Sequence, residues 1–160
     1  MDHHMNRLIA LFLVLSGPLY AGADEQEDVL TCISGVGAST TWNQCLGQIF
    51  APCEGMEVGS EPQIACLQEQ RESWRIVLRS SQEAVMDKLT RKGADELVEL
   101  MHAWPPFVRD KCNAIAESRA AISEDAAKLG CNISEVVLLT SEFRACLDGR
   151  STETYCDLKE

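Results

Sequence analysis

The clearest pattern of apolar and polar positions begins at Ser60. Ser60, Pro62 and Gln63 have the residue types of an N-cap, a first-turn proline and a capping-box partner. Gly93, which follows two basic residues, is typical of a helix C-terminus. Between these ends, charged residues are interleaved with apolar residues at helical spacing, namely Ile64, Leu67, Trp74, Leu78, Val85 and Leu89. The pattern predicts one helix of about 30 residues.

Two further helices are predicted on either side of this one. A short helix is expected over residues 40–50, ending before Pro52. Another helix begins near Ala94. It must bend or restart at Pro105 and Pro106, because proline removes a backbone donor and clashes with the preceding turn.

The last predicted helix opens with a capping box at residues 132–135 and runs to about Leu147, with Gly149 just past its end. No stretch alternates as a strand does, so the predicted fold class is all-α, a bundle of three or four helices. We expect residues 24–39 to form a flexible acidic segment and residues 40–160 to form one helical domain.

The start of the chain has the form of a secretory signal. Arg7 precedes an apolar run at positions 8–15, and Ala-Gly-Ala at positions 21–23 is a form that signal peptidase accepts. We therefore predict a signal peptide over residues 1–23, with cleavage before Asp24. The apolar run is much shorter than the roughly 20 residues of a membrane-spanning helix. The mature protein is expected to be periplasmic or secreted, without a membrane anchor.

All eight cysteines follow this leader. An even number in an oxidising compartment predicts up to four disulfide bridges. The shortest gap between two cysteines is eight residues, which is too long for a zinc-type ligand pair. We predict a Cys112–Cys131 bridge across the turn between two helices, and a Cys146–Cys156 bridge that holds the C-terminal tail. The other four are expected to pair among themselves: Cys32, Cys45, Cys53 and Cys66.

The net charge and the residue content argue against several classes of function. The formal net charge of −11 argues against a nucleic-acid partner and suits a basic protein partner. Behind the leader His102 is the only histidine, and fully bridged cysteines would leave no thiolate as a nucleophile. No glycine-rich phosphate loop or hydrolase motif is present, so we expect a protein that is not an enzyme and that has no metal or cofactor.

Residues 100–112 contain a distinctive arrangement: Trp104, then Arg109 and Asp110, then Cys112. This arrangement resembles the signature of the LprI-like lysozyme-inhibitor N-terminal domain family, whose members are small secreted helical domains. Further positions are similar to the family pattern on both sides of the segment. These are Cys66 and Trp74 upstream, and Thr140, Arg144 and Leu147 downstream.

The motif residues are expected to support the bundle. Arg109 and Asp110 are adjacent and point about 100° apart on a helix, so each is expected to pair with another helix. We predict that Arg109 or Arg144 binds a carboxylate or helix-end carbonyls across the bundle. The alternative is that Arg109 enters the cleft of a partner protein.

Two segments share a spacing of tryptophan, aliphatic residue and arginine. Trp74, Leu78 and Arg79 form the first, and Trp104, Val108 and Arg109 form the second; the two lie 30 residues apart. An internal repeat is one interpretation. The one preferred here is two similar helix faces that pack on each other.

The family resemblance implies an exported binding protein that inhibits a lysozyme by steric occlusion of its cleft. Opposite charge would speed the association of this acidic chain with a basic lysozyme. The alternative is a periplasmic structural or envelope-associated interaction domain with a different protein partner. The acidic loop at residues 54–61 and the N-terminal acidic segment are candidate steering elements.

Overall fold

The computed structural model describes residues 23–34, 42–118 and 123–159. In these ranges the chain is all-α, as predicted, with five α-helices. Residues 1–22 of the predicted signal peptide lie outside the described ranges. The helices are α1 (Ala23–Ser34), α2 (Trp42–Phe50), α3 (Glu61–Met86), α4 (Arg91–Ser118) and α5 (Glu124–Leu147), and the 3-10 turn Ala51–Cys53 follows α2.

The central helix of the bundle is α5. The two other long helices, α3 and α4, both pack along α5 and make few backbone contacts with each other. α1 also packs on α5, and α2 packs against α1 and α3. The buried side chains of α5, including Ile133, Val137 and Phe143, cover about half of the circumference of the helix. This buried side is wider than the apolar stripe of a typical surface helix.

The predicted flexible segment at residues 24–39 is wrong for the part that the structure describes. This part is α1, because a short apolar face among its acidic residues packs on the core. Glu27 fixes the outer side of α1, with both carboxylate oxygens within 2.7 Å of Arg144 Nη1. The buried residues of α1 are Val29, Leu30 and Ile33.

The long helix predicted to reach Gly93 ends at Met86 instead. α4 begins at Arg91, so Gly93 lies in the first turn of α4 and is not a helix C-terminus. A Cβ on Gly93 would lie 2.5 Å from the carbonyl oxygen of Tyr155. The lack of a side chain at this position therefore lets the C-terminal tail pass directly over the helix.

The C-terminal tail docks on the turn between α3 and α4. The backbone N–H of Thr90 donates to the carbonyl of Asp157 at 2.7 Å, and the Thr90 hydroxyl donates to the Asp157 carboxylate at 2.6 Å. Leu89 and Leu158 form an isolated antiparallel bridge beside them. Tyr155 of the tail is buried against Phe143 of α5, and this burial raises the pKa of its hydroxyl to about 12.

Of the bend or restart predicted for α4 at Pro105 and Pro106, the restart does not occur. α4 is one continuous helix through both prolines, and both are exposed to solvent. Leu97 on one side of them and Val108 and Cys112 on the other are all buried. Packing of one continuous apolar face on α5 therefore outweighs the two missing backbone donors.

The N-terminus of α5 also differs from the prediction. The helix begins at Glu124, and its N-cap is Ser123, whose hydroxyl accepts from the N–H of Ala126. The predicted capping box at residues 132–135 lies inside the helix. Its glutamate, Glu135, binds Lys111 of α4 at 2.7 Å instead of capping. The predicted C-terminus at Leu147 is confirmed.

All eight cysteines are bridged, so each helix is tied to a neighbouring element. The two specific predictions, Cys112–Cys131 and Cys146–Cys156, are confirmed. The remaining four cysteines pair among themselves, as predicted. Cys32–Cys45 joins α1 to α2, and Cys53–Cys66 joins the 3-10 turn to α3.

Candidate functional site

The residues that resemble the family signature lie partly in the core and partly on the surface. Trp74 is 2% exposed and packs in the core, and Cys112 is buried in its bridge to α5. Trp104 is half-buried on α4 and packs against the edge of the core. Arg109 and Asp110 are exposed, so they do not support the bundle interior.

The prediction that Arg109 and Asp110 each pair with another helix is wrong. Arg109 Nε contacts Asp110 Oδ1 at 3.1 Å, because both side chains lie in solvent and bend toward each other. The arginine that binds across the bundle is Arg144, through its ion pair with Glu27. Nearby, the Thr140 hydroxyl is buried and donates to the carbonyl of its own helix at Val136.

Contrary to the prediction, the two similar helix faces do not pack on each other but line opposite walls of one groove. Leu78 and Arg79 are on the α3 wall, and Val108 and Arg109 are on the α4 wall. Val136 of α5 lies at the same groove, which has a volume of about 380 Å³. The repeated spacing thus reflects two helices that present matching faces to a shared space above α5.

A larger cavity lies where the loop after α2 meets α4 and α5. Its volume is about 700 Å³, and both the 3-10 turn and the N-terminal half of α5 contribute to its walls. We call this cavity the apolar pocket. Its apolar side chains include Leu46, Phe50, Met56, Val58, Leu67 and Ile115.

Several apolar side chains at the apolar pocket are open to solvent. Val58 is 61% exposed and Met56 is 37% exposed. Lys111 lines the pocket, and its ammonium lies 5.9 Å from the ring centroid of Phe107, which is itself 60% exposed. An apolar concavity continued by exposed apolar side chains is the usual form of a binding surface.

Carboxylates lie at one edge of the apolar pocket and on the loop beside it. Glu54 lines it, and Glu57 and Glu61 are exposed on the same loop and helix start. Lys111 is the basic side chain in its lining, and Glu135 neutralises it at 2.7 Å. The edge of the pocket is therefore negatively charged, in keeping with the acidic loop that the sequence analysis selected.

Two disulfides fix the walls of the apolar pocket. Cys53 and Cys131 both line it, and their bridges tie the 3-10 turn to α3 and α5 to α4. The loop is also held at Gly59, whose φ of +77° favours glycine. A Cβ on Gly59 would overlap Ser123 at the start of α5. Such a pre-formed site loses little conformational entropy when a partner binds.

The negative charge of this site is visible in the sequence as the acidic loop at residues 54–61, whereas its apolar part is not. The pocket joins residues from α2, a loop, α4 and α5, so no single stretch of sequence contains it. One local signal was present: Met56 and Val58 are apolar residues in a loop between Gly55 and Gly59. Apolar side chains in a short polar loop indicate contact with another surface.

A scan of protein-family models and searches of curated proteins and of solved structures find no match to this chain. Within the described ranges, no helix is both long and apolar enough to cross a membrane. The same ranges contain no group of three histidine, cysteine or acidic side chains arranged to hold a metal ion.

Proposed function

We propose that this chain is an exported binding protein that blocks a lysozyme by covering its cleft. The observation that carries the proposal is the apolar pocket with its acidic edge and its two flanking disulfides. The pocket would receive an apolar or aromatic side chain of the partner, and the carboxylates around it would pair with basic residues nearby. The resemblance around Trp104 and Arg109 supplies the identity of the partner.

Charge supports a basic protein as the partner. The net charge of −11 attracts a basic protein over long range and raises the association rate at low salt. Four disulfides suit a compartment that is oxidising, as outside the cytoplasm. A rigid scaffold with a fixed pocket is suited to inhibition by occlusion, because the pocket needs no rearrangement to bind.

The direct test is a lysis assay with the purified, oxidised protein. It is mixed at micromolar excess with c-type, g-type and phage-type lysozymes, and the turbidity of a cell-wall suspension is followed. We expect inhibition of at least one type, and inhibition that weakens as salt rises. No inhibition of any type by the folded protein would reject the lysozyme partner. The alternative, a periplasmic structural or envelope-associated interaction domain with a different protein partner, would then be the better proposal.

A pair of variants tests the assigned surface. Val58→Gln places a polar group at the edge of the apolar pocket, and we expect it to weaken inhibition by about tenfold, which corresponds to a lost contact of about 1.4 kcal/mol. Ile76→Gln is the matched control, because Ile76 is 52% exposed on α3 and does not line the pocket. Equal inhibition constants for the two variants would show that the pocket is not the contact surface.

A further inference from the structure

We propose that the groove between α3 and α4 is a second binding site, which takes a ligand with linked phosphate groups. Four arginines line it: Arg71, Arg75 and Arg79 on α3, and Arg109 on α4. We call it the arginine groove. It is separate from the apolar pocket and does not depend on the proposed lysozyme partner.

The charge of the arginine groove is opposite to that of the molecule. None of its lining residues is an aspartate or glutamate, although the chain carries 25 acidic residues against 14 basic ones. Like charges held close together repel each other, and an anionic ligand would remove that repulsion. A groove whose lining holds four arginines and no carboxylate stands out on a chain of net charge −11, although two of these arginines have a carboxylate beside them outside the lining.

The arginines are available to a ligand. Arg71 and Arg79 form no ion pair among the described residues. Arg75 contacts Glu72 only at 3.9 Å, and both of those side chains are more than half exposed. Exposed ion pairs such as this one, and the one between Arg109 and Asp110, contribute little and are readily exchanged.

Arg71 gives an independent indication of a missing partner. Its Nε is buried and has no hydrogen-bond partner in the described part of the chain. Arg71 also lines an adjoining cavity of about 390 Å³, whose other charged lining residues are Arg109, Lys128 and Asp125. A buried N–H donor without an acceptor is costly, and an oxyanion that reached this nitrogen would remove the cost.

The arrangement of the arginines favours phosphate over carboxylate. Arg71, Arg75 and Arg79 succeed one another every four residues, which is a rise of about 6 Å along the helix axis for each step. Arg109 faces them from the other wall. A planar carboxylate accepts hydrogen bonds within one plane, whereas a tetrahedral phosphate accepts from several directions. The row of three arginines on α3 is about 12 Å long, which is longer than one phosphate group, so we infer a ligand with several linked phosphates.

The two sites lie on different sides of α5. At about 100° per residue, Asn132 and Val136 are on the side of α5 opposite Ala127, Gly130 and Ser134. The first two residues line the arginine groove and the other three line the apolar pocket. A ligand in the groove would therefore leave the pocket free.

The test measures binding of sodium tripolyphosphate by titration calorimetry, with citrate as the carboxylate comparison. Cardiolipin-containing phosphatidylcholine vesicles form a second arm, since a lipid headgroup also carries linked phosphates. We expect tripolyphosphate or these vesicles to bind, and citrate to bind more weakly. Binding to tripolyphosphate alone assigns a soluble ligand, and binding to the vesicles assigns a lipid headgroup. Binding in neither arm, or equally strong binding of citrate, would overturn the proposal.

Variants locate the site. Arg75→Gln with Arg79→Gln removes two exposed arginines, so the fold is expected to persist, and the affinity should fall about tenfold or more. Arg91→Gln is the matched control, because Arg91 is exposed and lies outside the groove. Its affinity should equal that of the parent protein. A double variant that keeps its helical circular dichroism and binds as the parent does would also refute the site.

Discussion

The structural role of a single residue in this chain depends on its tertiary neighbours. Gly93 follows two basic residues and looks like a helix terminus, yet it lies in the first turn of α4 beneath the C-terminal tail. The carbonyl oxygens of Tyr155 and Asp157 come within 2.5 and 3.1 Å of the point that a Cβ would occupy. The residue type therefore reflects a close approach of two backbones and not a turn.

Gly93→Ala should destabilise the protein. The new methyl group would displace the tail, with a cost of about 1–3 kcal/mol in the free energy of unfolding, as for other overpacked sites. Gly47→Ala is the control, because Gly47 lies in α2 with nothing within 4 Å of its Cβ position. That variant should be stabilised by about 0.5–1 kcal/mol, since alanine favours a helix. Urea unfolding of both variants measures these changes in the free energy of unfolding. An unchanged free energy for Gly93→Ala would contradict the close packing of the tail on Gly93.

Element boundaries were the least predictable part of the fold. The segment at residues 132–135 has the residue types of a capping box, but α5 already begins at Glu124. Because Ala126, Leu129 and Ile133 are buried in the bundle, the helix starts earlier in the chain than the capping-box pattern at residues 132–135 indicates. The actual N-cap, Ser123, has no glutamate or glutamine three residues later, so its sequence signature is weak.

Ser123→Ala should weaken the start of α5. It removes the hydroxyl that accepts from Ala126 N–H and leaves the contact of its Cβ with the loop intact. We expect a loss of about 0.5–1 kcal/mol, measured by thermal unfolding. Ser80→Ala, at an exposed position in α3, is the matched control and should be neutral or slightly stabilising. Equal melting temperatures for the two variants would show that this cap contributes nothing.

The whole molecule is a bundle in which disulfides join neighbouring elements in chain order. The four bridges close segments with sequence separations of 10 to 19 residues. A loop of about 15 residues contributes roughly 3 kcal/mol in the chain-entropy model. Four such contributions are comparable to the roughly 5–15 kcal/mol of net stability that a domain has.

Reduction should therefore unfold the protein at ambient temperature. We expect treatment with dithiothreitol, followed by alkylation, to abolish cooperative thermal unfolding and to remove most of the helical circular dichroism. The control is the oxidised protein exposed to the alkylating agent alone, which should be unmodified because every cysteine is bridged. A reduced and alkylated protein that still melts cooperatively near the parent temperature would show that packing suffices.

The all-α class, the full set of bridged cysteines and the acidic loop at residues 54–61 follow from the amino-acid sequence alone. These properties depend on residue types and on spacing within one segment, so local reasoning reaches them. The tertiary structure decided where α3 ends, that α4 continues through Pro105 and Pro106, and that α1 is a helix, because packing on α5 outweighs local signals. It also assembled the apolar pocket and the arginine groove, whose residues are far apart in the chain and meet only when the helices pack.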